Sequence, residues 1–135
     1  MVKAKVFLVC MITLLFVISG VGAYHLYAME RAIARSIYAD VLDDMQDIGY
    51  LNQALTDYYT NKMAGLGWDV STDVFAGSWP RGEGERARKE RKESVTLAMK
   101  VTPSTVAKWL NAFVEGDTAF SFTGSRPSEY FDPGW

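Results

Sequence analysis

The sequence predicts an α+β fold in which one long N-terminal helix, transmembrane and then amphipathic, carries a small antiparallel β head with one short helix. Three observations lead there. Fourteen of the eighteen residues from Val6 to Ala23 are apolar and none is charged. Over the next forty positions the apolar residues recur at a helical period. After Trp68 the pattern changes to short alternating runs bounded by Gly and Pro. The chain therefore divides into a transmembrane segment (1–23), an amphipathic helical stalk (24–66) and a small α+β head (67–135) with a basic loop at 81–92 and a C-terminal tail.

A helix needs roughly 20 apolar residues to cross about 30 Å of hydrocarbon. The uncharged run here reaches 24 residues when extended from Val6 through Met29, so it is long enough. Tyr24 and Tyr27 at its outer end suit an interfacial aromatic belt. Lys3 and Lys5 precede it, whereas Arg31 and Arg35 follow at a distance with Glu30 beside them, which favours a cytoplasmic N-terminus and a head outside the cell membrane. The competing possibility is a secretory signal cleaved after Ala23, releasing an interaction protein. Cys10 falls in the span, where it acts as a small apolar filler. Ser19 and Ala23, with Gly20 between them, form a small-residue pair at which a neighbouring helix can approach closely.

Beyond the span, Leu26, Met29, Ile33, Ile37, Val41, Met45, Ile48, Leu51, Leu55, Tyr59, Met63 and Leu66 follow at a mean spacing of about 3.6. One continuous helix from Ala4 to Gly65 is expected, bent but not ended at Gly49 and stopped by Gly65 and Gly67. Its inner part, including Met29, Ile33 and Ile37, is expected to pack against other helices, either copies of this chain or related subunits. Asp40, Asp43, Asp44 and Asp47 share one polar face and read as a solvated stripe.

In the head, 69–75 reads as a short strand, 93–101 as the strongest strand and 118–123 as a third, with Gly124 to Trp135 as the tail. Thr102-Pro103 looks like a helix start, followed by Val106, Trp109, Leu110, Phe113 and Val114 on one face. Tyr59, Met63 and Leu66, then Val95, Leu97 and Met99, then Trp109, Leu110 and Phe113 are expected to close one core. Between the strands, the loop residues Arg86, Arg88, Lys89, Arg91 and Lys92 could attract an anionic partner such as phosphate on a lipid, although an exposed solvated loop has the same composition.

Catalysis is not expected. A single His, His25, lies at the membrane edge, and the sequence contains no Gly-rich phosphate loop and no nucleophile elbow. One Cys and one His also exclude a disulfide framework and a Cys/His zinc site. A net charge of −2 supplies no general attraction to nucleic acid. No catalytic residue, cofactor or metal is therefore assigned.

The order of parts resembles a type IV pilin or pseudopilin. More closely, Tyr38-Ala39-Asp40-Val41-Leu42 through Asp47-Ile48-Gly49, then Gly67-Trp68, a Val/Thr strand and Gly124-Ser125-Arg126-Pro127-Ser128-Glu129-Tyr130, are similar to TadE-like pseudopilins. The resemblance implies a minor subunit of a pilus or secretion-like cell-surface assembly, with other pilin-like subunits, copies of itself and the membrane as partners. The family's cleavage Gly followed five residues on by Glu is not matched by Met1-Val2-Lys3-Ala4-Lys5, and the first acidic residue is Glu30. A membrane-retained component, or a single-pass accessory subunit of another membrane complex, fits that departure better than a processed major pilin.

Overall fold

The computed structural model of the chain describes residues 1–131. Helix α1 runs from Val2 to Ile48 without a break, about 70 Å at 1.5 Å per residue. It ends at Gly49, whose φ of 88° is left-handed and whose N–H donates to Met45 O at 2.7 Å. The expectation of a bend is thus corrected. Gly49 terminates the helix because its positive φ turns the chain, and glycine is required there because a Cβ would collide with the Ala87 carbonyl. A second helix, α2 (Gln53–Gly65), starts afresh with Asn52 as its cap, the side chain accepting the Leu55 N–H at 2.7 Å.

Strands β1 (Ser94–Val101) and β2 (Phe120–Pro127) pair antiparallel, in register from Ser94 opposite Pro127 to Val101 opposite Phe120. Among the described residues the sheet has two strands, not three. The segment 69–75 makes only a single bridge, Asp69 to Thr102. The Asp69 carboxylate accepts the Ser71 N–H at 3.0 Å and that of Asp73 accepts the Phe75 N–H at 3.1 Å, so each aspartate curls the chain locally instead of leaving it extended. Conversely, β2 continues to Pro127, through residues read as the start of the tail. Gly124 permits this, since a Cβ there would strike the Tyr38 hydroxyl of α1. The last four residues of that tail, with Pro133 and Trp135, lie outside the described residues.

Helix α3 (Thr105–Glu115) connects the strands and is capped at Ser104 instead of Thr102. Its burial reverses the expected face. Ala107 and Asn111 are buried, Leu110 packs partly against the core, and Trp109 and Phe113 are 70% and 91% exposed. Leu66, the end of the helical stripe, is exposed too. The core that does form joins Ile37, Val41, Leu42 and Met45 of α1, Tyr59 and Met63 of α2, and Val95, Leu97, Met99 and Val101 of β1. Leu51, Trp68, Val74, Phe75 and Phe120 also belong to it, as do Tyr27 and Ala34 of α1. Stalk and head therefore share one core instead of meeting as separate parts.

Strand β2 travels beside α1 in the same direction. Phe120 meets Tyr27, Phe122 meets Tyr38, Arg126 pairs with Asp43 at 2.7 Å, and Glu129 N–H donates to Gln46 O at 2.9 Å. Phe120 and its partner Val101 thus mark the end of the sheet nearest the apolar half of α1, and α3, which links them, lies at that end.

Candidate functional site

Residues 1–22 of α1 are all exposed, and the first buried residue is Tyr27. The helix is long and apolar enough to cross a membrane, and among the described residues nothing covers that part of it. Where the head takes hold, five polar residues of α1 and α3 are buried or paired. Glu30 Oε1 accepts the Trp68 indole N–H at 2.9 Å and its Oε2 accepts the Ser104 hydroxyl at 2.6 Å. The Tyr27 hydroxyl donates to Asn111 Oδ1 at 3.1 Å, while Asn111 Nδ2 donates to the Asp117 and Ala119 carbonyls at 2.7 and 3.0 Å. Arg31 forms an ion pair with Glu115. Each buried polar group in this cluster has a partner, which is what makes its burial tolerable.

This junction corrects the sequence reading of the stalk. The stripe through Leu26, Met29 and Ile33 is displaced by one residue, so Tyr27, Glu30 and Ala34 turn inward. Ala34 brings no bulk, and Glu30 and Tyr27 find fixed partners, so the helix rotates this face onto the head. Tyr27 is consequently a core residue and not part of an exposed belt; Tyr24, at 62% exposure, remains outside. Among the residues assigned to helix packing, Ser19 and Gly20 are exposed, Ala23 is half-buried and Met29 is 56% exposed. Ile33 packs partly on this chain's own core and Ile37 lies inside it, so those two are covered by the head and not left for another helix. Sequence reasoning missed Glu30, Asn111 and Ala107. The available signal was position: Glu30 falls three residues after Tyr27 and four before Ala34, on the buried line.

The acidic stripe is not uniformly solvated either. Asp44 accepts the Tyr59 hydroxyl at 2.6 Å and Asp43 holds Arg126. Burial first, then the bond to Asp44 and its charge, push the Tyr59 phenol well above its ordinary range.

The basic loop folds back on the α1–α2 corner. Ala87 N–H donates to Gly49 O and Lys89 N–H to Tyr130 O, both at 2.8 Å, and Ala87 is buried. Arg86 is sandwiched between two rings, its guanidinium carbon 4.7 Å from the Tyr50 centroid and 4.3 Å from that of Tyr130. Arg88 lies 3.8 Å from Glu90, and Arg91 lies 4.0 Å from Glu93. The image of an open, solvated loop is therefore corrected for its first part. Lys89 and Lys92 are exposed and border a groove of about 280 Å³, but Glu93 and Glu129 line the same groove. Its charges balance, and it offers no concentrated positive field.

Among the described residues no group of three or more His, Cys, Asp or Glu is placed to hold a metal ion. The junction fixes α3 and the start of β2 to α1 next to the uncovered apolar segment. Comparison with protein-family models, curated proteins and solved structures gave no match.

Proposed function

We propose that this protein is a membrane-anchored, pilin-like structural subunit, a minor pseudopilin of a pilus or secretion-like cell-surface assembly. The observation that carries the reading is the continuity of α1. One unbroken helix passes from a wholly uncovered apolar half into the core of a small α+β head. A helix that is apolar on every side needs lipid or other helices around it. A head locked onto the same helix moves with it as one body. The N-terminus lies in the cytoplasm and the head outside. Neighbouring subunits pack against the span near Ser19, Gly20 and Ala23, and against exposed Met29.

The test is carried out in native membranes. The chain should resist carbonate extraction, and its mature mass should include residues before Tyr24. With Cys10→Ser, single cysteines at Ser19 and Met29 should cross-link to a copy or to another subunit, whereas a cysteine at Ile37 should not. A protein released by carbonate, or a monomer across the whole scan, would remove the pilin-like reading. Cross-links to an unrelated integral membrane protein alone would leave the accessory-subunit reading in its place.

A further inference from the structure

Helix α3 is built inside out for a helix on a water-soluble head. Ala107 and Asn111 face inward, while Val106, Trp109, Phe113 and Val114 are 42%, 70%, 91% and 62% exposed. A contiguous apolar face of this size on one helix marks a contact surface. The same inversion occurs on α1 at the same level, where Glu30 is buried while Tyr24 and Met29 are exposed. Two elements at one end of the head thus turn polar groups in and apolar groups out.

The attitude of α3 follows from its anchors. Ser104, before its first turn, bonds Glu30, and Glu115 in its last turn pairs with Arg31. Eleven residues separate those two positions on α3, about 16 Å of helix, while Glu30 and Arg31 are adjacent on α1 and differ by about 1.5 Å along its axis. α3 therefore lies across α1. If α1 stands upright in a bilayer, α3 lies parallel to the bilayer surface. Its inner face receives Tyr27 of α1 and the backbone at 117–119, which leads into β2, so the apolar face points away from both α1 and the sheet. The height fits as well. Tyr27, Glu30 and Arg31, which hold α3, stand about 6 to 12 Å beyond Ala23 at the end of the span, and the headgroup region extends about 5–7 Å beyond the hydrocarbon on each side, which puts α3 at the outer boundary of that layer.

We infer that α3 is an interfacial helix, its Val106, Trp109 and Phe113 face seated in the headgroup layer of the bilayer that α1 crosses. The inference rests on the membrane-anchored reading of α1. Trp is the side chain that favours this layer, with an apolar body and one N–H for the polar side. The second attachment would hold the head at a fixed angle to the membrane instead of letting it swing on the stalk.

The test uses the full chain in phosphatidylcholine–phosphatidylglycerol vesicles, labelled with an environment-sensitive fluorophore at one cysteine at a time. The positions are native Cys10, Phe113→Cys with Cys10→Ser, and Ser94→Cys with Cys10→Ser, the last at the opposite end of the sheet. Phe113 and Ser94 are both exposed, so neither label disturbs the core. The label at 113 should be quenched by lipids carrying a nitroxide near the headgroup and should be several-fold less accessible to iodide than the label at 94. If 113 and 94 are equally open to iodide while the Cys10 label is quenched from mid-bilayer, the inference fails and the anchor stands. If the Cys10 label is not quenched by lipid, the anchor fails and the inference with it. Shielding at 113 that is unaffected by lipid nitroxide and disappears on diluting the protein in lipid would assign this face to a second copy and overturn the bilayer contact.

Discussion

Glu30 places a carboxylate in the core of a small head, and the use of both its oxygens decides what replacing it does. Glu30→Leu leaves the Trp68 N–H and the Ser104 hydroxyl without acceptors, and a buried group left unpaired costs about 1–3 kcal/mol. Glu30→Gln keeps one acceptor oxygen and should lose less; urea unfolding of the full chain in detergent, followed by Trp fluorescence, measures the difference. Tyr59 gives a dependence on pH. Its folded-state pKa is raised above the ordinary 10.0, first by burial and then by the bond to Asp44. A raised pKa means that the stabilising contribution is fully present below pH 10 and is lost as the pH rises through the higher folded value. Stability should therefore decline in alkali above pH 10, and Tyr59→Phe should flatten that part of the profile. An unchanged alkaline limb in the Phe variant would assign the decline to another group.

Among the elements, β1 was the most legible in the sequence, because Val95, Leu97, Met99 and Val101 alternate and all four are buried. The long helix was legible for the same reason, at its own period. α3 lies close to where the sequence places it along the chain, with the opposite face turned inward. Periodicity identifies the apolar face of a helix, but whether that face meets protein or lipid depends on what surrounds it. Here Asn111 satisfies Tyr27 and two carbonyls, which no apolar residue could do, and the apolar side was left outside. Leu97→Ala should accordingly cost about 2–5 kcal/mol, while Phe113→Ala should change the unfolding free energy in detergent by under about 0.5 kcal/mol. Comparable losses at the two positions would mean that the α3 face is covered within the head. The break at Gly49 was illegible for a different reason. Whether a glycine bends or ends a helix depends on its φ and on what packs against it, and here the distant Ala87 carbonyl occupies the space a Cβ would take. Gly49→Ala combines a left-handed φ with that collision and should destabilise the head by at least 1–3 kcal/mol, about the strain of a non-glycine residue held in a sparsely populated region.

For the whole molecule, the division that matters is energetic and not the boundary between stalk and head. Core contacts run along α1 from Tyr27 to Met45, whereas residues 1–22 contribute no buried side chain. An inserted residue turns everything beyond it by about 100° around the helix axis, and the two halves of α1 should respond in opposite ways. One Ala inserted between Ala34 and Arg35 moves the Tyr27–Glu30 face away from Asn111, Trp68 and Ser104 while Ile37 to Met45 stay in place, so the head should lose most of a margin of about 5–15 kcal/mol. One Ala inserted after Gly22 leaves every described head contact intact and should leave detergent unfolding unchanged within about 0.5 kcal/mol. It nevertheless rotates Ser19 and Gly20 relative to the head. If neighbouring subunits read the span and the head together, that insertion should abolish cross-linking at Ser19 in native membranes without altering stability or membrane retention. Four inserted residues, about one full turn, should restore it. Cross-linking that persists after the single insertion would mean that the span meets its partner independently of how the head is turned.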